Sequence, residues 1–489
     1  MSLYTKTIAP CDGGVSHAKK PYIIDPTQWV TLAQLRCKEG IVQNFPGWAS
    51  ALAAGTVGAY GTFAAEFAMT DGDVRYIVGG PANLYRVTAL GALVDVSGIS
   101  PLAATKDDPW VGFSYKDAQY ITNKLGGMFK YTKPSDLFTL LPDPPWARAC
   151  HVLNDHLCVL NTLVDSQEFG WAAEASETDW VASSSNDAGA FSLSGTPGVG
   201  VVLVPFGIDL IAYKTDEIVD LAFVGGNEVF GIRDRNQTTG LLGPNAVANV
   251  GDYHEGFGTR SIFRYSGGKQ VDDAWALPVR SLVYDGLHVT WRNRAVAFYW
   301  PDSRETIFAY PSLQSTGDCD TCVVWNRDEQ KWYGPFAFPI SAFAGPAKDD
   351  ALFVDPTGDV VRLGTGQSAK AVAVTRTAES GDHFLGDGAV SIAHHVAVAF
   401  PLGSIFMVTM VNVEYEPTAG IAYLQLGSRM SLSDPLVYTP LVPINLAGGS
   451  SKLGVRATGR WFRVKITVPQ SNVLNLGGYQ YEFSPVGRQ

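Results

Sequence analysis

Two cysteines three residues apart, Cys319-Asp-Thr-Cys322, have the spacing of a zinc-binding or redox pair. A structural zinc site needs a second pair of ligands, and none stands at matching spacing, so a tight turn between strands is the competing reading. His151 and His156 flank a turn beside Cys150 and Cys158, and these four could in principle share one ion. A turn with scattered partners is the favoured reading. His394-His395 is a poorer pair, because neighbours on a strand point to opposite faces. The expectation is therefore no metal, no cofactor and no catalytic residue.

Other motifs lead the same way. Ser185-Asn-Asp-Ala-Gly189, with Ser192 beyond it, has the form of the aspartate turn found in sialidase-type propellers, but Leu193 stands where a Trp should close it. Gly195-Thr-Pro-Gly-Val-Gly200 is glycine-rich without the helix that would hold a phosphate. The chain contains no nucleophile elbow, no phosphate loop ending in Gly-Lys-Ser/Thr and no His-Glu-x-x-His helix. The expectation is that this is not an enzyme. Trp291, Trp300, Trp325, Trp332 and Tyr333 crowd together, either as a sugar-binding face or as filling between sheets.

The elements around these residues are short strands. Val74–Val87, Gln119–Tyr131, His151–Leu160, Phe206–Phe230, Ile262–Val271, Arg294–Tyr310, Val323–Tyr333 and Leu352–Leu363 each hold β-type runs broken by Gly-Gly, Asn or Asp turns. Their recurrence at about 35–50 residues is a propeller period. The fold class expected is all-β: an irregular β-propeller of six or seven blades over 61–368, followed by a β-sandwich over 369–489. Strict apolar–polar alternation in Val411–Glu416 and Arg463–Val468 supports the sandwich, since it buries one face of each strand. Residues 1–60 form a segment that leads into or closes the propeller, with Gly40 and Pro46-Gly47 as turns. Glu174–Val199, rich in Ser, Ala, Gly and Asp, reads as a long loop or insertion.

Bulk properties limit the function. At 489 residues the chain exceeds one core. Six cysteines in that length do not make a disulfide framework, and the start lacks a signal-like apolar run, so cytosolic synthesis is expected. No apolar run is long enough for a membrane helix, and no membrane insertion is expected. A net charge of −11 argues against gripping nucleic acid. From Lys370 onward there are 9 Lys+Arg and 7 Asp+Glu, net +2, against 27 and 40 before it, net −13. The acidic charge thus belongs to the first three quarters, with Asp216-Glu217, Asp272-Asp273 and Asp349-Asp350 in turns.

Several phrases resemble one family, the tail nozzle (tail hub) proteins of short-tailed, podovirus-type bacteriophages. Trp29–Trp48 with Arg36, Gly40 and Pro46-Gly47 is similar to the family's N-terminal phrase. Tyr76–Tyr85 resembles its first blade, and Thr122-Asn123 its recurring Thr-Asn step. Trp171 with Thr178-Asp-Trp180, and Gly225-Gly226 with Phe230 and Gly243-Pro244, look like its middle segments. Thr458–Lys465 and Leu476–Arg488 are similar to its closing phrases. The 174–199 segment and the Cys319–Cys322 loop match nothing in that pattern.

The resemblance implies a structural virion protein of the tail, assembled in the host cytoplasm. It would form a homo-hexamer below the head-to-tail adaptor ring and serve as the channel for genome ejection, with viral DNA passing unbound. Tail fibre, spike or needle proteins are its further possible partners. The channel-lining residues are not identifiable from sequence. The alternative is a receptor- or glycan-binding tail protein on the same propeller, and a propeller hydrolase is a third class.

Overall fold

In the computed structural model, residues 2–98, 103–226, 228–343, 351–393, 396–469 and 472–488 are described. The chain is all-β, 51% strand and 4% helix, and forms a six-blade β-propeller with additional sheets contributed by the C-terminal part. Each full blade is a four-stranded antiparallel meander. The first four blades begin at Phe63, Val111, Ala147 and Gly200, the fifth spans Val296–Ile340, and the sixth joins Ala342–Phe343, Leu352–Val354 and Val360–Leu363 to Trp48–Ser50. A three-stranded sheet, Val247–Asn249, His254–Phe257 and Ile262–Tyr265, is interposed between the fourth and fifth blades. The helix Leu277–Gly286 follows it and packs Val279 and Val283 into the same core.

Burial explains why these segments are strands. In the second to fifth blades the second strand lies between two neighbouring strands and is covered on both faces. Ala118–Asn123, His156–Thr162, Asp209–Lys214 and Glu305–Tyr310 are therefore buried at every position, polar residues included. Their side chains lack the half-polar alternation of a one-sided sheet and read as continuous β-runs. Tight turns set the register. In the hairpin Leu153-Asn154-Asp155-His156 both central residues have positive φ, 46° and 62°, as a two-residue type I′ turn requires.

The ring closes with a strand from the far end of the sequence. Trp48 pairs with Leu363 and Ser50 with Val361, and Trp48 packs edge-on against Phe338 at 5.3 Å. Strands before it join the C-terminal part. Tyr4–Ile8 pairs with Tyr479–Phe483, and Ile41–Asn44 also meets the last strand, through Val42 and Leu476. Two C-terminal sheets face each other over one apolar core that includes Phe406, Val411, Leu424, Phe462, Ile466 and Tyr481. One of them is continuous with the fifth blade. The strand Trp29–Ala33 bridges Lys331–Ile340 on one side and Arg376–Ser380 on the other.

The 174–199 segment differs from its expected form. It is not an unstructured insertion, because Gly189–Ser192 is the outer strand of the third blade, paired with Glu168–Trp171. The remainder, 174–188 and 193–199, lies outside strands. The segment's low aliphatic content follows from its place at an outer edge, where Ala190 and Ser192 face solvent.

Candidate functional site

The inner strands surround an axial cavity of about 750 Å³. Phe63–Glu66 of the first blade, Trp110–Ser114 of the second, Val202–Pro205 of the fourth and Val296–Tyr299 of the fifth form most of its wall. Valine, alanine and phenylalanine dominate there, because inner strands are crowded near the axis and small or flat side chains fit best. The polar groups are few: Glu66, Ser114, Gln119, His151, Asn245 and Asn249. Among the described lining residues there is one carboxylate and no Lys or Arg. His151 is held neutral, its pKa lowered by burial, and its ring stacks on Phe113 at 4.7 Å.

The residues singled out for metal chemistry do not converge. Cys150 and Cys158 lie on adjacent strands but pack into different cores, one toward the second blade and one toward the fourth. Both ring nitrogens of His156 face local acceptors, Nδ1 2.7 Å from the Asn154 carbonyl and Nε2 2.9 Å from Asp187 Oδ2. Cys319 and Cys322 belong to a strand, Cys319–Asn326, rather than to a turn. Burial drives both thiols up, away from the thiolate a metal needs. All six cysteines are free and buried, and the described residues contain no cluster of three metal-ligating side chains. His394-His395 and Asp349-Asp350 lie outside the described residues.

The remaining motifs have structural work. Asp187, in the sialidase-like turn, accepts from the Glu174 amide as well as meeting His156, so it clamps the loop onto the blade. In the glycine-rich 195–200 turn, the Gly198 amide and the Thr196 hydroxyl both donate to Asp216. An acid already occupies the place a phosphate would take. Its neighbour Glu217 is fully buried, 3.3 Å from the equally buried Lys214 Nζ and 3.0 Å from Arg235. That acidic pair is therefore an internal clasp, and sequence alone could not separate it from a solvated turn.

Trp300, Trp325, Trp332 and Tyr333 are buried packing, whereas Trp291 is half-buried and stacks on His288 at 4.0 Å. Trp332 is 2% and Trp325 6% exposed, and Trp275 stacks on Trp332 at 4.9 Å. The guanidinium of Arg264 lies 4.0 Å over Trp275 and is fixed by Glu255 at 2.8 Å. The axial cavity, by contrast, has no signature in the sequence: its wall is assembled from all six blades and the three-stranded sheet, and the residues carry no common motif.

No protein family matches this chain, and no curated protein is similar to it in sequence. Among solved structures it is similar to YCF48 from Cyanidioschyzon merolae, at 9% identity and a TM-score of 0.38, over 65% of this chain and 98% of that one. It is also similar to the computationally designed Ika8 protein, at 8% identity and a TM-score of 0.37, over 68% of this chain and 96% of that one.

Proposed function

We propose that this chain is a structural protein of a bacteriophage short tail, a nozzle that assembles as a hexamer below the head-to-tail adaptor ring and conducts the genome during ejection. The observation that carries the reading is mechanical. The eleven-stranded sheet runs from the innermost strand of the fifth blade through Trp29–Ala33 into the C-terminal sheet, so propeller and sandwich share one hydrogen-bonded element. A ring subunit that must hold its shape around passing DNA needs such a tie. The phrase-level resemblance along the chain points to the same role.

The conduit in this reading lies between subunits, on the sixfold axis. The cavity within the propeller, at about 750 Å³, has the size of a small-molecule pocket and not of a duplex path. Carboxylates facing the lumen would repel phosphates and let DNA slide without sticking, in keeping with the net −13 ahead of Lys370. Ring closure requires heterologous contacts. No helix among the described residues is long and apolar enough to cross a membrane, and the proposal invokes no insertion. Fibre, spike or needle proteins would attach at the outer surface.

Cryo-electron microscopy of virions that carry this chain tests the proposal. A sixfold ring of this fold below the adaptor, with DNA or its exit path on the axis, is the expected result. Density at a peripheral fibre or spike position would replace it with the receptor-binding reading.

A further inference from the structure

The axial cavity contains a polar niche that the nozzle role does not use. Gln119 and Ser114 are directly opposite each other on adjacent strands of the second blade, so their side chains share a face. Ser114 is exposed at the cavity wall, whereas Gln119 beside it is fully buried. Among the described residues neither the Oε1 nor the Nε2 of Gln119 has a hydrogen-bond partner. A buried carboxamide with both ends unpaired is disfavoured, and native cores usually satisfy or replace such a group. Glu66, from the first blade, lies on the same wall.

We infer that this niche is a binding site for a neutral, hydroxyl-bearing ligand of sugar type. A hydroxyl can accept from the Gln119 Nε2–H and donate to its Oε1, so a vicinal pair would satisfy both ends at once. In the free chain the amide is closed off from water, and binding turns it toward Ser114. The apolar wall formed by Val111, Val204 and the half-buried Phe343 covers the C–H face of the ring. Charge sets the class: the described lining residues hold a carboxylate and no cation, which disfavours anionic ligands. This site is separate from the tryptophan cluster, and it stands or falls independently of the nozzle reading.

The test uses the purified full chain with glucose, galactose and N-acetylglucosamine as probes, read by saturation-transfer NMR and calorimetry. Binding of at least one is expected, weakened about tenfold or more by Gln119→Leu and by Ser114→Val. N-acetylneuraminic acid is expected not to bind. Gln119→Leu should keep or raise the thermal midpoint, because it removes an unpaired buried amide; if it fails to fold, Ser114→Val alone decides. No transfer to any of the three neutral sugars, unchanged affinity in the folded variants, or equal binding of the anionic sugar would overturn the inference.

Discussion

Tyr213 and His254 form a buried pair in which the phenol hydroxyl lies 2.9 Å from the imidazole Nδ1. The other nitrogen, Nε2, is 3.0 Å from the Pro205 carbonyl, which can only accept. Nε2 therefore carries the proton, Nδ1 accepts from Tyr213, and the ring is satisfied only when neutral. Burial lowers the His254 pKa to about 4. In the sandwich, His383 meets the Tyr481 hydroxyl at 2.9 Å and is lowered to about 3, by burial and by Lys6 and Arg463.

Acid sensitivity follows from these two rings. Both histidines titrate near 6.5 when unfolded, so below that pH the unfolded chain binds protons that the folded chain refuses. Their contribution is complete above pH 6.5 and is lost as pH falls toward 4, at about 1.4 kcal/mol per pH unit for each histidine. Denaturant titrations between pH 7 and 4.5 should show this loss, and His254→Gln should remove its own share of the slope, about 1.4 kcal/mol per pH unit. A stability profile flat over that range would refute it.

The ion pair between Arg36 and Glu305 ties the N-terminal strands to the fifth blade, at 3.5 Å with the Glu305 carboxylate fully buried. Burial raises the Glu305 pKa, and Arg36 opposes that. Removing the cation alone leaves a buried carboxylate, so Arg36→Met should destabilise by about 3–5 kcal/mol at neutral pH. The loss should shrink as pH falls and Glu305 takes a proton, and Glu305→Gln in the same chain should recover part of it. Urea unfolding of the single and double variants measures both effects.

Gly243 sits where the three-stranded sheet approaches the start of the fifth blade. A Cβ there would fall 1.8 Å from the Asn293 carbonyl oxygen, a backbone atom that cannot move aside alone. Gly243→Ala should cost about 1–3 kcal/mol through forced separation of the two sheets. Protease susceptibility near residue 243 should rise with it, which limited proteolysis followed by mass spectrometry would detect.

Charge reversal addresses the proposed conduit. Asp143, Asp252 and Asp302 are exposed and form no ion pair among the described residues. Asp252 and Asp302 lie in turns after inner strands, at one end of the propeller, and Asp143 in a connection between blades at the other. If one end lines the lumen, Asp→Lys changes there should leave ring assembly intact and slow DNA release, while changes at the other end leave release unaltered. Unchanged ejection kinetics in both sets would remove the electrostatic argument.

The sequence by itself determined the strands and turns, because these depend on neighbours. Alternation in Arg463–Val468, the Asn154-Asp155 turn and Gly40 at φ +81° are legible locally, and from them come the all-β class and the propeller period. The tertiary structure decided what depends on contacts across hundreds of residues. That Trp48–Ser50 seals the last blade against Val361–Leu363, that Tyr4–Ile8 belongs with Tyr479–Phe483, and that Gly189–Ser192 is a blade strand all rest on register between distant segments. The same holds for chemistry. Asp216 and Glu217 read as one acidic turn, yet Glu217 is sealed against Lys214, while Gln119 reads as an ordinary strand residue and is buried with its amide unpaired. Which side of a blade a residue faces, and what stands across the gap, is set by packing between sheets, and no local pattern encodes it.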